Sequence, residues 1–282
     1  MFQTQASPVS FRHGMRLGIG NGRSALSDDQ IRKAAPSIFA ETPWTTMTNK
    51  YLFIPTSEIV SGMRREGFEV VQALQGSSRI EGKKEFTKHM VRFAVPQAEQ
   101  VNGSVPELVL INSHDGTTSY RLMMGIFRMI CQNGLLMASN VIEDLRFRHS
   151  KSLSDEIIEG TGTLVREIPR VQDQIERLSN IKLLPNETAA FARAAHLLRW
   201  EEGHAPVQPE QLLQARRQAD FGPDLYTTLN VVQENIMKGG LHGHTATKKR
   251  TTTRAVQGVT ENVRLNQALS VLANEMARLK AN

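Results

Sequence analysis

The hydrophobic pattern of this chain changes its period near His149, and that change constrains the fold more than any other feature. Before it, apolar residues run unbroken or alternate, as in Glu107 to Asn112, which is typical of buried strands. After it, apolar residues recur every three or four positions, as between Thr260 and Lys280, which predicts amphipathic helices. The sequence therefore predicts an α+β protein, with a mainly antiparallel sheet in the N-terminal half and a helical C-terminal half.

Three segments follow from this pattern. Residues 1–27 contain four glycines and no acidic residue, which predicts a flexible basic arm carrying Arg12, Arg16 and Arg23. Residues 28–150 form the sheet region with short helices, and residues 151–282 form the helical region. The helical region contains a basic loop at 238–258, which lies between the last two helices.

Several local signals predict particular elements. Tyr51 to Ile54 reads as a strand, and Thr56 or Ser57 is expected to cap a helix that ends near Arg65. Arg128 to Ala138 reads as a short helix or a buried turn. The pattern from Ser154 to about Leu183 predicts one long helix with a kink at Pro169, and a further helix is expected from Pro209 to about Ala219.

Two polar triplets lie within the apolar stretch from Leu108 to Ala138. His114-Asp115-Gly116 reads first as a hairpin turn, because Asp-Gly readily adopts positive φ. A catalytic pair, with His114 as a base oriented by Asp115, is the alternative, although adjacent residues at a strand end usually point in different directions. Cys131 lies among apolar residues and is expected to pack in the core, with Gln132 and Asn133 bonding buried backbone.

The basic loop is the strongest candidate for binding. It contains five cations, two histidines (His242 and His244) and a run of threonines, and no acidic residue occurs between Glu234 and Glu261. Clustered cations on adaptable backbone suit contacts with phosphates; a solvated surface loop is the alternative. A metal site at His242 and His244, with His204, is not expected, because neither a cysteine nor a carboxylate cluster accompanies the pair.

Composition narrows the function classes. The formal net charge is +6, which favours nucleic acid as a partner over the simpler explanation that charge maintains solubility. A single cysteine excludes an internal disulfide, and the sequence contains no long apolar window, so we expect a cytoplasmic protein without membrane association. Common nucleotide, hydrolase and metal motifs are missing, which predicts no cofactor and favours a binding protein over an enzyme.

Two runs, NSHDGTTSYRL and FRMICQNGLLMA, resemble the signature of the DUF932 family of phage- and plasmid-associated proteins, to which the UPF0380 group belongs. LNVVQENIMKGG and NVRLNQALSVLANEM extend the resemblance over most of the chain. It implies a mobile-element gene whose neighbours concern antirestriction, replication or recombination. The signature residues are His114, Asp115, Gly116, Arg128, Cys131, Gln132 and Asn133.

The leading hypothesis is a nucleic-acid-binding protein, more specifically one that binds single-stranded DNA and promotes annealing as a homo-oligomer. Aromatic residues make up only 6% of the chain, which disfavours base stacking as the means of binding. Two alternatives stay open: a protein-interaction or antirestriction factor, and a hydrolase that uses His114 and Asp115. The candidate contacts are Arg12, Arg16, Arg23, Arg146, Arg148, Lys238, Lys248, Lys249, Arg250 and Arg254.

Overall fold

The computed structural model describes residues 24–45, 47, 52–128, 134–136, 144–148 and 150–281. It confirms the α+β architecture, with an antiparallel sheet followed by helices. The helices are α1 Asp28–Ala34, α2 Thr56–Arg65, α3 Leu153–Arg166, α4 Ile168–Asn180, α5 Pro185–Leu197, α6 Leu225–Lys238 and α7 Val259–Ala281. The strands are β1 Glu69–Gln75, β2 His89–Ala94, β3 Ser104–Asn112, β4 Tyr120–Arg128, β5 Gly134–Leu136, β6 Leu145–Phe147, β7 His242–His244 and β8 Arg250–Thr252.

The main sheet has the order β1-β2-β3-β4-β5, and all of these neighbours are antiparallel. β6 also pairs with β4, at Tyr120 to Leu122, whereas β5 pairs with the other end of β4, at Gly125 to Phe127. The turn at residues 113–119 joins β3 to β4, as the Asp-Gly pair predicts. This turn and the first residues of β2 therefore lie at the same end of the sheet.

Both faces of the sheet are covered, which explains why its central strands read as unbroken apolar runs. Leu108 and Leu110 point to a core shared with α2 and α3. Val109 and Ile111 point to the opposite face, where Val263 of α7 packs against them. Every residue of β3 is buried as a result. The last helix of the chain thus closes the second face of the N-terminal sheet.

The helical half departs from the sequence prediction at two places. The pattern after Ser154 does not form one kinked helix: α3 ends at Arg166, and Pro169 lies in the first turn of a separate helix, α4. Proline fits there because the backbone N–H groups of the first turn have no partner within the helix. The prediction of a helix from Pro209 to about Ala219 is also wrong, because only the short 3-10 turns Pro209–Leu213 and Gln218–Asp220 form there.

Three predictions for the sheet region also need correction. Residues 52–55 are not a strand, and Tyr51 lies outside the described residues. Neither Thr56 nor Ser57 caps α2: Thr56 is already its first helical residue, and its hydroxyl is used elsewhere. Within the stretch predicted as a helix or turn, residues 134–136 form a strand, because they pair with the free side of β4.

Candidate functional site

A buried polar cluster lies at the end of the sheet where the signature turn is found. The Thr56 hydroxyl, at the start of α2, lies 2.9 Å from His89 Nε2, 3.2 Å from His114 Nε2 and 2.9 Å from the Tyr120 hydroxyl. Asn112 Nδ2 donates to the same oxygen at 3.2 Å. All five side chains are buried. The cluster therefore ties α2 to β2, β3 and β4 through one hydroxyl.

Burial also decides the charge of this cluster. Desolvation lowers the pKa of His89 to about 4, so the imidazole is neutral at pH 7. Its Nδ1 lies 2.9 Å from the Ser37 hydroxyl and 3.2 Å from the Thr87 carbonyl oxygen, which can only accept. In the tautomer with its proton on Nδ1, Nε2 accepts from Thr56. A hydroxyl with one proton and two lone pairs satisfies three of its four neighbours at once.

The Asp115 carboxylate contacts groups that lie outside the buried cluster. Its carboxylate accepts hydrogen bonds from the Thr117 backbone N–H at 3.1 Å and from the Thr117 hydroxyl at 2.6 Å, and it pairs with Lys83 at 3.1 Å. Burial raises the pKa of Asp115, but these hydrogen bonds outweigh it and lower that pKa below its ordinary value. His114 and Asp115 thus have separate structural partners, as the turn interpretation expects.

Gly116 completes the turn for two reasons. Its φ is +74°, in the left-handed region, and a Cβ at this position would lie 2.8 Å from Met47 Sδ. The signature residues Cys131, Gln132 and Asn133 lie outside the described residues.

Arg128, the remaining signature residue, belongs to a series of ion pairs around two buried carboxylates, Asp220 and Glu234. It pairs with Asp220 at 2.5 Å, and Asp220 also pairs with Arg217 at 2.7 Å. Arg217 continues to the buried Glu234, which pairs with Lys238 at 2.9 Å. Lys238 therefore differs from the other predicted cations of the loop, because its charge already has a partner. These ion pairs link β4 to α6 through Arg128–Asp220 and Arg217–Glu234, whose members are far apart in sequence, so no local motif marks those two contacts.

The predicted basic loop contains a β-hairpin. β7 and β8 pair antiparallel, with His242 opposite Thr252 and His244 opposite Arg250. Side chains alternate along a strand, and directly opposed residues share a face. His242, His244, Arg250 and Thr252 therefore lie on the same face, and all of them are exposed. We call these four residues the hairpin face.

The hairpin is fixed against the preceding segment. The His244 backbone N–H donates to the Pro206 carbonyl at 2.8 Å, and Gln211 Nε2 donates to the His242 carbonyl at 2.8 Å. Glycine is required at 243, because a Cβ there would lie 1.8 Å from the Pro206 carbonyl oxygen. Residues 205–208, Gln211 and the hairpin together line an open cleft of about 710 Å³.

The cations near this cleft are available for a ligand. Lys248, Lys249, Arg250 and Arg254 are exposed, and within the described part of the chain none of them lies within ion-pair distance of a carboxylate. The other predicted arginines lie apart from the hairpin. Arg146 and Arg148 are exposed on or beside β6, at the main sheet, and Arg146 lies 3.6 Å from Asp144. The loop cations are therefore close together on and around the hairpin, and the β6 arginines are in another part of the fold. Arg12, Arg16 and Arg23 lie outside the described residues.

Among the residues that the structure describes, no group of three or more His, Cys, Asp or Glu side chains is arranged to hold a metal ion. This statement covers His204, His242 and His244.

Comparison with known sequences identifies the family to which the chain belongs. Residues 43–270 match DUF932, described as a domain of unknown function. The chain belongs to the DUF932 family. It is 38% identical over 252 residues to the UPF0380 protein YafZ of Escherichia coli (strain K12), which covers 89% of this chain and 91% of that protein. UPF0380 protein YfjQ of the same strain is also 38% identical over 252 residues, with the same coverage. No solved structure matches the chain.

The DUF932 match includes both the buried cluster and the hairpin, since both lie between residues 43 and 270. The family description gives neither of them a role. In the described part of this DUF932 protein, no helix has the length and apolar character needed to cross a membrane.

Proposed function

We propose that this DUF932 protein binds nucleic acid, and single-stranded DNA in particular, through the β7–β8 hairpin. The observation that carries the proposal is the concentration of exposed cations on and around one hairpin: Lys248, Lys249, Arg250 and Arg254. Among the described residues no carboxylate neutralises them, and the sequence has no acidic residue between Glu234 and Glu261. Cations in such a setting bind phosphates and release the counterions that surround a nucleic acid.

The chemistry of the hairpin favours backbone contact over reading of bases. Residues 238–258 contain no Phe, Tyr or Trp, so the imidazoles of His242 and His244 are the sole rings on which a base could stack in this segment. Threonine hydroxyls at 251 and 252 add neutral donors for phosphate oxygens. A strand held by its phosphates keeps its bases free to pair. Binding of this kind suits annealing of complementary strands better than recognition of a sequence.

The other predicted cations extend this proposal. Arg146 and Arg148 would contact a strand that continues past the hairpin toward the main sheet, and Arg12, Arg16 and Arg23 would contact it from the N-terminal segment. Lys238 is a weaker candidate, because it pairs with Glu234. Annealing would also require a homo-oligomer, which we include in the proposal. The family resemblance supports a role in recombination or replication of a mobile element.

A salt titration tests the proposal. Binding of a labelled single strand is measured by fluorescence anisotropy at several salt concentrations, for the native protein and for a variant with Lys248, Lys249, Arg250 and Arg254 changed to alanine. Each phosphate contact contributes about 0.7 to the slope of log affinity against log salt for a single strand. The variant should therefore bind weakly, with a slope smaller by up to about 3.

A charge-matched control separates a binding site from a general effect of net charge. Lys151, Arg177, Lys182 and Arg193 are also exposed, and changing them to alanine removes the same formal charge. This control should keep most of the affinity and the slope. Binding that does not respond to salt, or that falls equally in both variants, would reject the hairpin as the interface. Complete absence of binding would favour the interaction-factor alternative.

A further inference from the structure

We infer that the cleft beside the β7–β8 hairpin binds a phosphate monoester, either the phosphorylated end of a DNA strand or a free mononucleotide. The inference deepens the proposed function by naming the group that this part of the site recognises, and for the strand end it rests on that function. It is carried by the geometry of the cleft and by the donors on its wall.

The hairpin face brings its four side chains close together. Directly opposed residues on antiparallel strands have Cβ atoms about 5 Å apart, and alternate residues on one strand lie about 7 Å apart. Two imidazoles, a guanidinium and a hydroxyl thus lie side by side on one face. All four of these residues line the cleft.

One contact within the face fixes the orientation of a donor. The Thr252 hydroxyl lies 3.2 Å from His242 Nδ1. With Thr252 donating to Nδ1, the proton of a neutral His242 ring is on Nε2, which is then free to donate to a ligand. Arg250 adds a planar set of N–H groups that suits phosphate oxygens.

A monoester fits this site better than a phosphate inside a strand. It presents three terminal oxygens and close to two negative charges at neutral pH, which three donor residues (His242, His244 and Arg250) can share. An internal phosphodiester presents two free oxygens and one charge, and both of its ends must leave the site. The segment with Pro206 and Val207 closes one side of the cleft.

The size and the lining of the cleft indicate what is attached to the phosphate. Its volume of about 710 Å³ lies within the range of small-molecule sites, about 300–1,000 Å³. That space accommodates a nucleoside as well as its phosphate. Pro206 and Val207 provide apolar surface beside the polar face, and Gln208 adds an amide group. A nucleotide, with an apolar ring and polar edges, suits such a lining.

The test compares three probes. These are a 5′-phosphorylated single strand, the same strand with a 5′-hydroxyl, and thymidine 5′-monophosphate as a competitor. We expect the phosphorylated strand to bind about tenfold more tightly than the hydroxyl strand, which corresponds to about 1.4 kcal/mol. The double variant His242→Ala/His244→Ala should lose this preference while keeping salt-dependent binding of both strands. His204→Ala removes an exposed histidine that does not line the cleft and should keep the preference.

The outcomes separate this inference from the proposed function. Equal binding of the two strands, without competition by the mononucleotide, would overturn the monoester site even if salt-dependent strand binding persisted. Mononucleotide binding that is lost in the double variant, in a protein that binds neither strand, would support the site with a free nucleotide as its ligand and reject the proposed function. Thermal unfolding of each variant, compared with the native protein, excludes misfolding as the cause of a lost preference.

Discussion

Two pairs of histidines occupy opposite environments in this molecule. His89 and His114 lie at the sheet end with none of their surface exposed, and both contact the Thr56 hydroxyl. His242 and His244 lie on a hairpin, exposed to solvent beside a cleft. The first pair includes a residue of the family signature and is committed to internal hydrogen bonds. The second pair lies outside that signature and has donors to offer. A residue's place in a signature is thus no guide to whether it can meet a ligand.

The largest effect should come from the centre of the buried cluster. Thr56→Val keeps the shape of the side chain but removes the hydroxyl that contacts His89, His114, Tyr120 and Asn112. We expect a loss of about 4 kcal/mol in the free energy of unfolding, since each buried polar group without a partner costs roughly 1–3 kcal/mol. Urea denaturation measures this loss in the free energy of unfolding. Thr163→Val, on the exposed side of α3, should change stability by less than about 0.5 kcal/mol.

The buried His89 should also make stability depend on pH. The pKa of His89 is lowered from 6.5 to about 4, so below pH 6.5 the unfolded chain takes up a proton that the native protein does not. Stability should be complete above pH 6.5 and fall by about 3 kcal/mol as the pH reaches 4. Asp115, whose pKa is lowered from 3.8, loses its contribution only below this window.

Replacement of His89 isolates this pH effect. His89→Gln will cost stability at pH 7, but its free energy of unfolding should decline less between pH 6.5 and 4 than that of the native protein. Parallel declines in the two proteins would show that His89 is not the group responsible.

A smaller effect should follow from a change beneath the hairpin. Gly243→Ala places a methyl group 1.8 Å from the Pro206 carbonyl oxygen, so the hairpin and the 205–208 segment must separate. We expect a loss of about 2 kcal/mol, within the usual range for crowding of a packed contact, and a weaker preference for the phosphorylated strand. Gly162→Ala on α3 meets only the end of an arginine, at 3.7 Å, and should stabilise the helix by up to about 1 kcal/mol. Equal stability of the two variants would contradict the described contact at Pro206.

The smallest effect should come from an exposed ion pair. Arg146 is 68% exposed and lies 3.6 Å from Asp144, so Arg146→Ala should change the free energy of unfolding by less than about 0.5 kcal/mol. If the residue contacts a bound strand, affinity should fall a few-fold while stability stays constant. A large loss of stability on this change would show that the sheet edge depends on the residue.

The sequence predicted those features that local patterns determine. The α+β order and the Asp-Gly turn follow from periodicity and turn chemistry, and both are confirmed. Thr56 shows the limit. Its position before an apolar run predicts a cap, yet its hydroxyl contacts residues more than 30 positions away. The split between α3 and α4 was missed because a proline can kink a helix or start a new one.

For the candidate site, too, the sequence predicted what local signals determine and missed what depends on long-range contacts. Composition alone identified the cations at 248–254, because charge without acidic neighbours is visible in the sequence. The hairpin and its shared face depend on pairing between β7 and β8 and on packing against Pro206, which no local signal records. Lys238 and Glu234 lie four positions apart on one helix, so their ion pair could have been predicted from the sequence.

Hydrogen exchange with and without single-stranded DNA tests the central comparison most directly. The proposal predicts slower amide exchange across residues 240–254 when the strand is present, because phosphates cover the hairpin. Exchange at residues 108–124, around the buried cluster, should stay unchanged. Protection at the His114 turn with none at the hairpin would contradict the account and return the functional site to the signature.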